Sequence, residues 1–540
     1  LNGPEYDSSV PEWFMPANYT QKGAEWEREA SMQIFENGGT LAVNQNVGIR
    51  VRGGATRSYP QKSFNIYARS EYGASKLDFD LFSGNVYSEY TGQQITEFDS
   101  FMIRNGGNDA QYTRFRDKLN QSLVSDRNIL TQAMEPCIVF IDGEYWGQYE
   151  ITEKMDDDFI KAHYGVSKKD VCMIKNQLLE EGDTAGYDEW NQLRQWISAT
   201  DFSNDENYVE LCNKVDIQSF MDYVSAEIYI NNCDWGGNNM SMWKSTKTDS
   251  SNPYADGKWR FILFDTEYST NLYEQATPHT NSFTQFMKTD SFLSELLSGA
   301  MENESFKEKF SLTFMDMSNE NFDNNKVQAL ITELSNSYHD TTIDAYNRFW
   351  PEWPGGHWAE TQYSKEVENV KSFYNSRFPH ATDSLKTFFN LRGNLANVTI
   401  KNDSSMGDVT INTISPEISN GSWSGKYYTD YPVTMTAKSK PGYQLAYWET
   451  SNGEKISGKS VEISFTSDIT ITAVYTVADT LIGDVNLDGE LTAQDVTLLK
   501  RYLLGVEILT KEQAEQANVC EDENLNSFDL SELKRILFTQ

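Results

Sequence analysis

Residues 484–495 read DVNLDGELTAQD. Oxygen-bearing side chains stand at Asp484, Asn486 and Asp488, positions 1, 3 and 5 of a twelve-residue loop, and Asp495 closes it at position 12. Gly489 occupies position 6, where a sharp turn demands positive φ, and Glu490 at position 7 offers its carbonyl. A hard cation such as Ca2+ takes six to eight oxygens, and this spacing supplies them from one tight loop. The unit, a loop followed by a helix, is duplicated. An offset of 34 carries Asp495 onto Asp529 and Leu499-Lys500-Arg501 onto Leu533-Lys534-Arg535. Copy two departs from the pattern: Asn518, Cys520 and Glu523 replace Asp, Asn or Asp, and Gly, while Asp522, Asn524, Asn526 and Asp529 keep their oxygens. A thiol ligates a hard cation poorly and glutamate resists a left-handed turn, so the second loop is expected to be weak or calcium-free.

This pair resembles a type I dockerin, the module that plugs secreted enzymes into the cohesin of a scaffoldin. The resemblance implies an all-α module over 479–540 with paired calcium loop-helix motifs. It implies Ca2+ on Asp484, Asn486, Asp488, Glu490 and Asp495 in the first loop, and on Asn518, Asp522, Asn524 and Asp529 in the second. The cohesin-facing positions would be Ala493 and Gln494 in copy one, Ser527 and Phe528 in copy two. A secreted protein in an extracellular or cell-surface bacterial complex for polysaccharide degradation follows from the same likeness.

Composition fits that setting. Eighty acidic against 45 basic residues give a net charge of −35, which argues against nucleic acid or an anionic membrane as partner. The five cysteines are scattered without CxxC and are read as buried free thiols, not as a disulfide or zinc framework. No apolar run approaches the roughly 20 residues that span a bilayer. The chain starts LNGPEYD without methionine, as expected if a signal peptide has been removed.

Upstream of the duplicated loops, residues 396–478 switch to Thr/Val/Ile alternation, as in DVTINTI and VEISFTSDITITAVYT, and predict a small all-β module. The stretch from Pro441-Gly442-Tyr443 to Trp448-Glu449 and the strand Ile469–Ala473 resemble an internalin B-type bacterial repeat. Such a module is read as a stalk or adhesion element.

Residues 1–395 carry the chemistry. Val47, Ile49 and Val51 alternate, as do Phe64 and Ile66, and predict a hairpin around a Gly- and Arg-rich turn. Asp142-Gly143 predicts a second hairpin. Apolar spacing from Tyr208 to Tyr229 predicts one helix leading into INNCDWGGNNMSMWK at 230–244. A buried strand, Phe261 to Phe264, ends on Asp265, and the rest to about 390 reads as helical, giving an α+β domain. An ionised Asp at the end of an apolar strand is costly unless paired or metal-bound. Phosphoryl transfer needs a carboxylate to take a hydroxyl proton, an Asn and an Asp for metal, and a cation for phosphate. Asp234 and Asn239 have the D-x4-N spacing of a kinase catalytic loop, Asp265 suits the second metal-binding carboxylate, and Lys62 suits the phosphate clamp.

The runs GIRVRGGATRSYPQKSFNIYARSEYG, FMIRNGGNDAQYTRFRD, VFIDGEYWGQYEITEK and NNCDWGGNNMSMWK…GKWRFILFDTE resemble the CotH family of secreted, atypical protein kinases. The likeness implies a divergent kinase-like fold, ATP with Mg2+ or Mn2+, and transfer to protein Ser/Thr. Asp234 would be catalytic and Asn239 and Asp265 would hold the metal. Lys62, Arg52 and Arg57 would contact ATP, and Glu153 would orient Lys62. The chain lacks a GxGxxG loop, has Asn232-Cys233 before Asp234 and has no glycine after Asp265-Thr266. Arg104, Asn105, Asp109, Arg116 and Asp117 form a further polar cluster, read as a structural network before part of a nucleotide pocket. Phe349, Trp350, Trp353 and Trp358 are read as packing before sugar stacking. The alternative to a kinase is a non-catalytic structural or adhesion component with the same fold.

Overall fold

The computed structural model describes residues 9–350, 358–440, 442–478, 481–520, 522 and 524–539. Trp353, Pro441 and Glu523 lie outside the described residues. The chain divides between Asn390 and Leu391 into two compact units.

The first unit begins with β1 (Arg28–Phe35), β2 (Leu41–Arg52) and β3 (Ser63–Tyr67), then a short pair, β4 (Leu77–Asp78) and β5 (Glu97–Phe98). They are followed by β6 (Ser100–Arg104), β7 (Met134–Ile141) and β8 (Glu144–Glu153), with helix α1 (Arg116–Leu123) after β6. Six of these strands form one antiparallel sheet in the order β1-β2-β3-β6-β8-β7. The expected Gly/Arg hairpin is β2–β3, with Ile49 opposite Ile66 and Val51 opposite Phe64. Asp142 and Gly143, at φ 52° and 79°, make the turn of β7–β8. Two consecutive left-handed residues match the twist of a two-residue hairpin. One sheet face buries Val43, Val47, Ile66 and Phe101 with Phe82 and Phe98.

Helix α2 (Asp157–Tyr164) leads to a second sheet built from β9 (Val171–Lys175), β10 (Leu178–Glu181), β11 (Ser241–Ser245) and β12 (Arg260–Ile262), in the order β10-β9-β11-β12. Between β10 and β11 run α3 (Thr184–Ala199), α4 (Asp205–Lys214) and α5 (Ile217–Ile230). The single helix expected from Tyr208 to Tyr229 is therefore two. Val215 bridges to Trp259, and the Asp216 side chain accepts from the Ser219 N–H at 3.1 Å, which starts a new helix. The strand expected to run to Phe264 ends at Ile262, although Leu263 and Phe264 stay buried. After β12 come α6 (Ser282–Phe286), α7 (Phe292–Ala300), α8 (Glu304–Asn319), α9 (Asn324–Phe349) and α10 (Trp358–Phe389). Helix α9 buries Val327, Ile331, Leu334, Tyr338 and Thr342, one stripe at helical spacing. Tyr338 Oη donates to Glu150 of β8 at 2.8 Å, fixing α9 on the first sheet.

The second unit has β13 (Leu395–Lys401), β14 (Gly407–Ile411), β15 (Ser422–Tyr428), β16 (Val433–Ser439), β17 (Tyr443–Thr450), β18 (Lys455–Ile456), β19 (Ser460–Ile463) and β20 (Ile469–Val477). They make a five-stranded sheet, β15-β13-β20-β17-β18, and a three-stranded sheet, β14-β16-β19. The expected all-β module is present. Helices α11 (Ala493–Leu503), α12 (Lys511–Ala517) and α13 (Ser527–Thr539) complete the unit. The duplicated Leu499 and Leu533 are fully buried together with Val485, Ala517 and Val519.

Among the described residues no helix is long and apolar enough to cross a membrane. The five cysteines are unpaired, but only Cys172 is buried and Cys233 is exposed. The main-chain N–H of Cys233 donates to Tyr268 O at 2.8 Å, which fixes this residue at the loop surface.

Candidate active site

Register brings the chemistry to one edge of the second sheet. Strands β9 and β12 both run antiparallel to β11, and Lys175 and Ile262 flank Ser241. The ends of β9 and β12 and the start of β11 therefore share an edge. Lys175, the Asp234–Asn239 loop and Asp265 arrive there together. In the first sheet Arg52 pairs with Ser63, and Ile103 pairs with Phe64, so Arg52 and Arg104 end at a common edge too.

The loop with Asp234 leaves α5 through Asn231, which adopts φ 53° and caps the helix. The fully buried Arg377 of α10 satisfies the helix end. It donates to the carbonyls of Tyr229 and Ile228, each at 2.7 Å, and to Pro278 and Thr280 on the returning chain. Trp235 stacks on Phe286 with ring centres 4.2 Å apart and anchors the loop. The Asp234 carboxylate accepts from Asn238 at 3.0 Å and from Asn239 at 3.2 Å. Burial raises the Asp234 carboxyl, Asn238 and Asn239 oppose the shift, and Asp265 adds a like charge. The two aspartates thus share one electrostatic neighbourhood.

Asp265 follows β12 at φ 58°, a left-handed conformation that turns its side chain away from the strand line. Arg104 meets it: Nη2 lies 2.6 Å from Asp265 and 3.0 Å from Glu267, while Nη1 pairs with Asp117 of α1. Asp117 also accepts from the N–H and hydroxyl of Thr266, at 3.0 and 2.8 Å. Asn120, one turn along α1, donates to Thr266 O and Ser269 Oγ. Helix α1 thereby holds the turn after Asp265. Burial pushes the Asp117 carboxyl upward, yet Arg104, Gln121 and the Thr266 N–H outweigh it and hold Asp117 below the usual range. Glu267 is pushed well up by burial and by Asp265. Gly107 must be glycine, because a Cβ there would sit 1.7 Å from Glu267 Oε1.

One oxygen from each of Asp117, Asp265 and Glu267 lies within 4.8 Å of the others, and Glu267 Oε2 is buried without a partner. An all-oxygen set of this kind fits a hard divalent cation such as Mg2+ or Mn2+. Two cations flank it. Burial and Arg104 push Arg52 down to about 10, against the pull of Asp265, Glu267 and Asp117. Burial and Arg52 likewise lower Lys175, whose Nζ lies 4.9 Å from the Phe264 ring centre. Among the described residues neither side chain has an ion-pair partner. Unpaired cations beside a carboxylate cluster make a place for an anion.

Of the residues expected here, Asp234, Asn239, Asp265 and Arg52 come together. Lys62 does not. It precedes β3, donates to Tyr59 O and lies over the Tyr19 ring at 4.5 Å. Arg57 is spent on the carbonyls of Gly53, Tyr19 and Gln21, a turn-closing role. Glu153 pairs with His163 at 2.7 Å and not with a lysine. The Arg104-to-Asp117 cluster divides: Asp109 and Arg116 form a buried pair with Glu366, whereas Arg104 and Asp117 belong to the site. Phe349 packs on Trp146, and both Trp350 and Trp358 on Tyr346. Lys175 and Glu227 escape the sequence reading, and Glu267 is legible there only as a carboxylate two residues past Asp265. Lys175 carried a signal, an apolar strand VCMI ending on one charge, as FILF ends on Asp265.

In the C-terminal helical segment Asp484 accepts from the N–H groups of Asp488 and Gly489, at 3.0 and 2.7 Å. Asp495 accepts from those of Asn486 and Thr492, at 3.1 and 2.8 Å. Asp484 and Asp495 are buried, and the side-chain atoms this loop offers a cation are oxygens throughout, which fits Ca2+. The second loop repeats the clasp: Asp529 accepts from Cys520 and Asn526, and Asn518 from Asp522. Asn524 donates its N–H to Asp522. Ala493, Gln494, Ser527 and Phe528 are all exposed.

The CotH kinase protein family matches residues 49–380, and the type I dockerin domain matches residues 482–538. No curated protein matches the chain. With more than half its length matched, this chain belongs to the CotH kinase protein family and carries a C-terminal type I dockerin.

Proposed function

We propose that this protein is a secreted, scaffold-associated kinase that moves the γ-phosphate of ATP to Ser/Thr of extracellular or surface proteins. Its dockerin anchors it to a cohesin of a scaffoldin. The observation that carries the reading is the shared neighbourhood of Asp234 and Asp265 beside two cations without ion-pair partners, Arg52 and Lys175. Asp234, raised by burial, takes the proton of the acceptor hydroxyl. Asp265 and Asn239 would hold Mg2+ or Mn2+, which neutralises phosphate charge when bound. Arg52 and Lys175 hold the phosphates, and Arg104 keeps Asp117, Asp265 and Glu267 in place. The β module serves as an internalin B-type spacer or adhesion element between this site and the dockerin.

Asp265→Asn is expected to abolish transfer from labelled ATP while leaving the melting temperature within a few degrees; undiminished transfer overturns the metal role. One observation favours a non-catalytic component: Arg104 already neutralises Asp265 at 2.6 Å. Millimolar ATP with Mg2+ separates the readings, since the kinase is stabilised by ligand and the structural component is not.

A further inference from the structure

We infer that Glu227 and Tyr223, one turn apart on α5, are positioning residues that hold both ends of the Asp234–Asn239 loop. The inference rests on the kinase reading of that loop. Glu227 is fully buried, and its Oε2 accepts from Asn232 Nδ2 at 2.9 Å. The Asn232 main-chain N–H donates to Glu227 O at 3.1 Å, so side chain and backbone of one residue grip the same asparagine. Asn232 Oδ1 in turn accepts the Asp234 N–H at 3.0 Å. The chain of bonds runs from a rigid helix to the main chain of the candidate base.

Tyr223 works at the other end. Its hydroxyl donates to Asn239 O at 3.4 Å, and its ring meets Trp235 edge-on with centres 5.9 Å apart. Residues four apart lie on one helical face, so a single face of α5 fixes entry, middle and exit of the loop. The Tyr223 hydroxyl also reaches the Glu227 carboxyl, so the two grips meet on one helix face. Burying a carboxyl is costly unless its oxygens are hydrogen-bonded, and Asn232 supplies that bond to Oε2. What the carboxyl contributes in return is the grip on Asn232. Asn232-Cys233 stands where a kinase loop carries His-Arg; the Glu227–Asn232 pair supplies the support from the helix instead. Burial pushes the Glu227 carboxyl up to about 8, so glutamine is the fair neutral substitute.

The test compares full-length Glu227→Leu, Glu227→Gln and Tyr223→Phe with ATP, Mn2+ and casein as acceptor. Misplacement of about 1 Å costs roughly 10²-fold in rate. Glu227→Leu is expected to lose about 10- to 100-fold in kcat with KM for ATP within about twofold. Glu227→Gln should recover most of that loss, and Tyr223→Phe should fall between. Amide hydrogen exchange across 232–239 should quicken in Glu227→Leu, less in Tyr223→Phe, and not in Glu227→Gln. Wild-type kcat in Glu227→Leu, or a glutamine variant as impaired as the leucine variant, overturns the inference. Should the wild type transfer no phosphate, the kinase reading fails by itself. Hydrogen exchange still decides the clamp: unchanged protection of 232–239 in Glu227→Leu sinks it. If Glu227→Leu does not fold, Tyr223→Phe answers by the same split of kcat from KM.

Discussion

Arg104 is the residue on which the carboxylate cluster depends. It faces Asp117, Asp265 and Glu267 and is itself almost wholly buried. Removing one partner of a buried ion network leaves uncompensated charge, typically costing about 3–5 kcal/mol. Arg104→Gln should therefore lower the unfolding free energy of the first unit, read from urea melts, by that amount. A loss under about 1 kcal/mol would show that Asp117 and Glu267 do not need this guanidinium. A second prediction concerns pH. Glu150 is pushed up to about 7 and Glu227 to about 8, both chiefly by burial, from an ordinary 4.5. Between 4.5 and those values the unfolded chain has released the proton and the native chain has kept it. Stability must fall as pH rises through that window, by about 1.4 kcal/mol per unit for each group. Melting followed from pH 5 to 8.5 should show Glu150→Gln flattening the decline; a slope equal to wild type refutes the assignment. Sequence gave little warning of this. Lys62 looked like the clamp because a lysine beside a predicted strand has the right chemistry, but a one-dimensional pattern does not reveal that Tyr59 O and the Tyr19 ring claim it. Arg52 enters through the family resemblance alone, and the β2–β3 register, which sets it opposite Ser63, then carries it to the site edge.

Elements were more legible than side-chain partners wherever local chemistry dominates. Asp142-Gly143 specifies its hairpin through φ alone, and the β2–β3 alternation is set by a half-buried sheet. The failure at α4–α5 is instructive. Apolar spacing continues through the break, from Leu211 to Phe220, so periodicity sees one helix. The interruption comes from a long-range bridge, Val215 to Trp259, and a cap at Asp216. The cap is testable. Asp216→Ala should destabilise the first unit by about 1 kcal/mol, more if its contacts with Asn128 and Arg260 add to it. Asp216→Asn keeps an oxygen for the Ser219 N–H and should lose much less. Equal losses would mean that the ion pair, and not the cap, starts α5. The site inherits this break, because α5 begins at Asp216 and ends on the loop of Asp234.

At the scale of the molecule, the two ends of the chain obey different stability rules. The first unit buries large aromatic and aliphatic clusters. Among its described residues the dockerin segment has a small buried core, Val485, Leu499, Ala517, Val519 and Leu533. A core that small supplies only about 3–5 kcal/mol, and such modules draw the remainder from metal or disulfides. Its cysteine is unpaired, which leaves calcium. Asp484 and Asp495 are buried, and their negative charge is answered by main-chain N–H groups and the Thr492 hydroxyl, none of them charged, so a divalent ion in that loop counts directly as folding free energy. Chelation should therefore act on one end of the protein. With EGTA, a calorimetric transition belonging to the dockerin should disappear or fall steeply, and capture by immobilised cohesin should be lost. The transition of the first unit should stay within about 1 °C, because residues 482–538 belong to the other compact unit. Asp484→Ala should reproduce the effect without chelator, whereas Asn518→Ala should do so weakly if the second loop closes through Asn518 and the Asp522 N–H in place of a cation. Cohesin capture that survives both EGTA and Asp484→Ala would show that the duplicated loops fold without calcium, and the reading of residues 484–495 as a cation loop would fall with it.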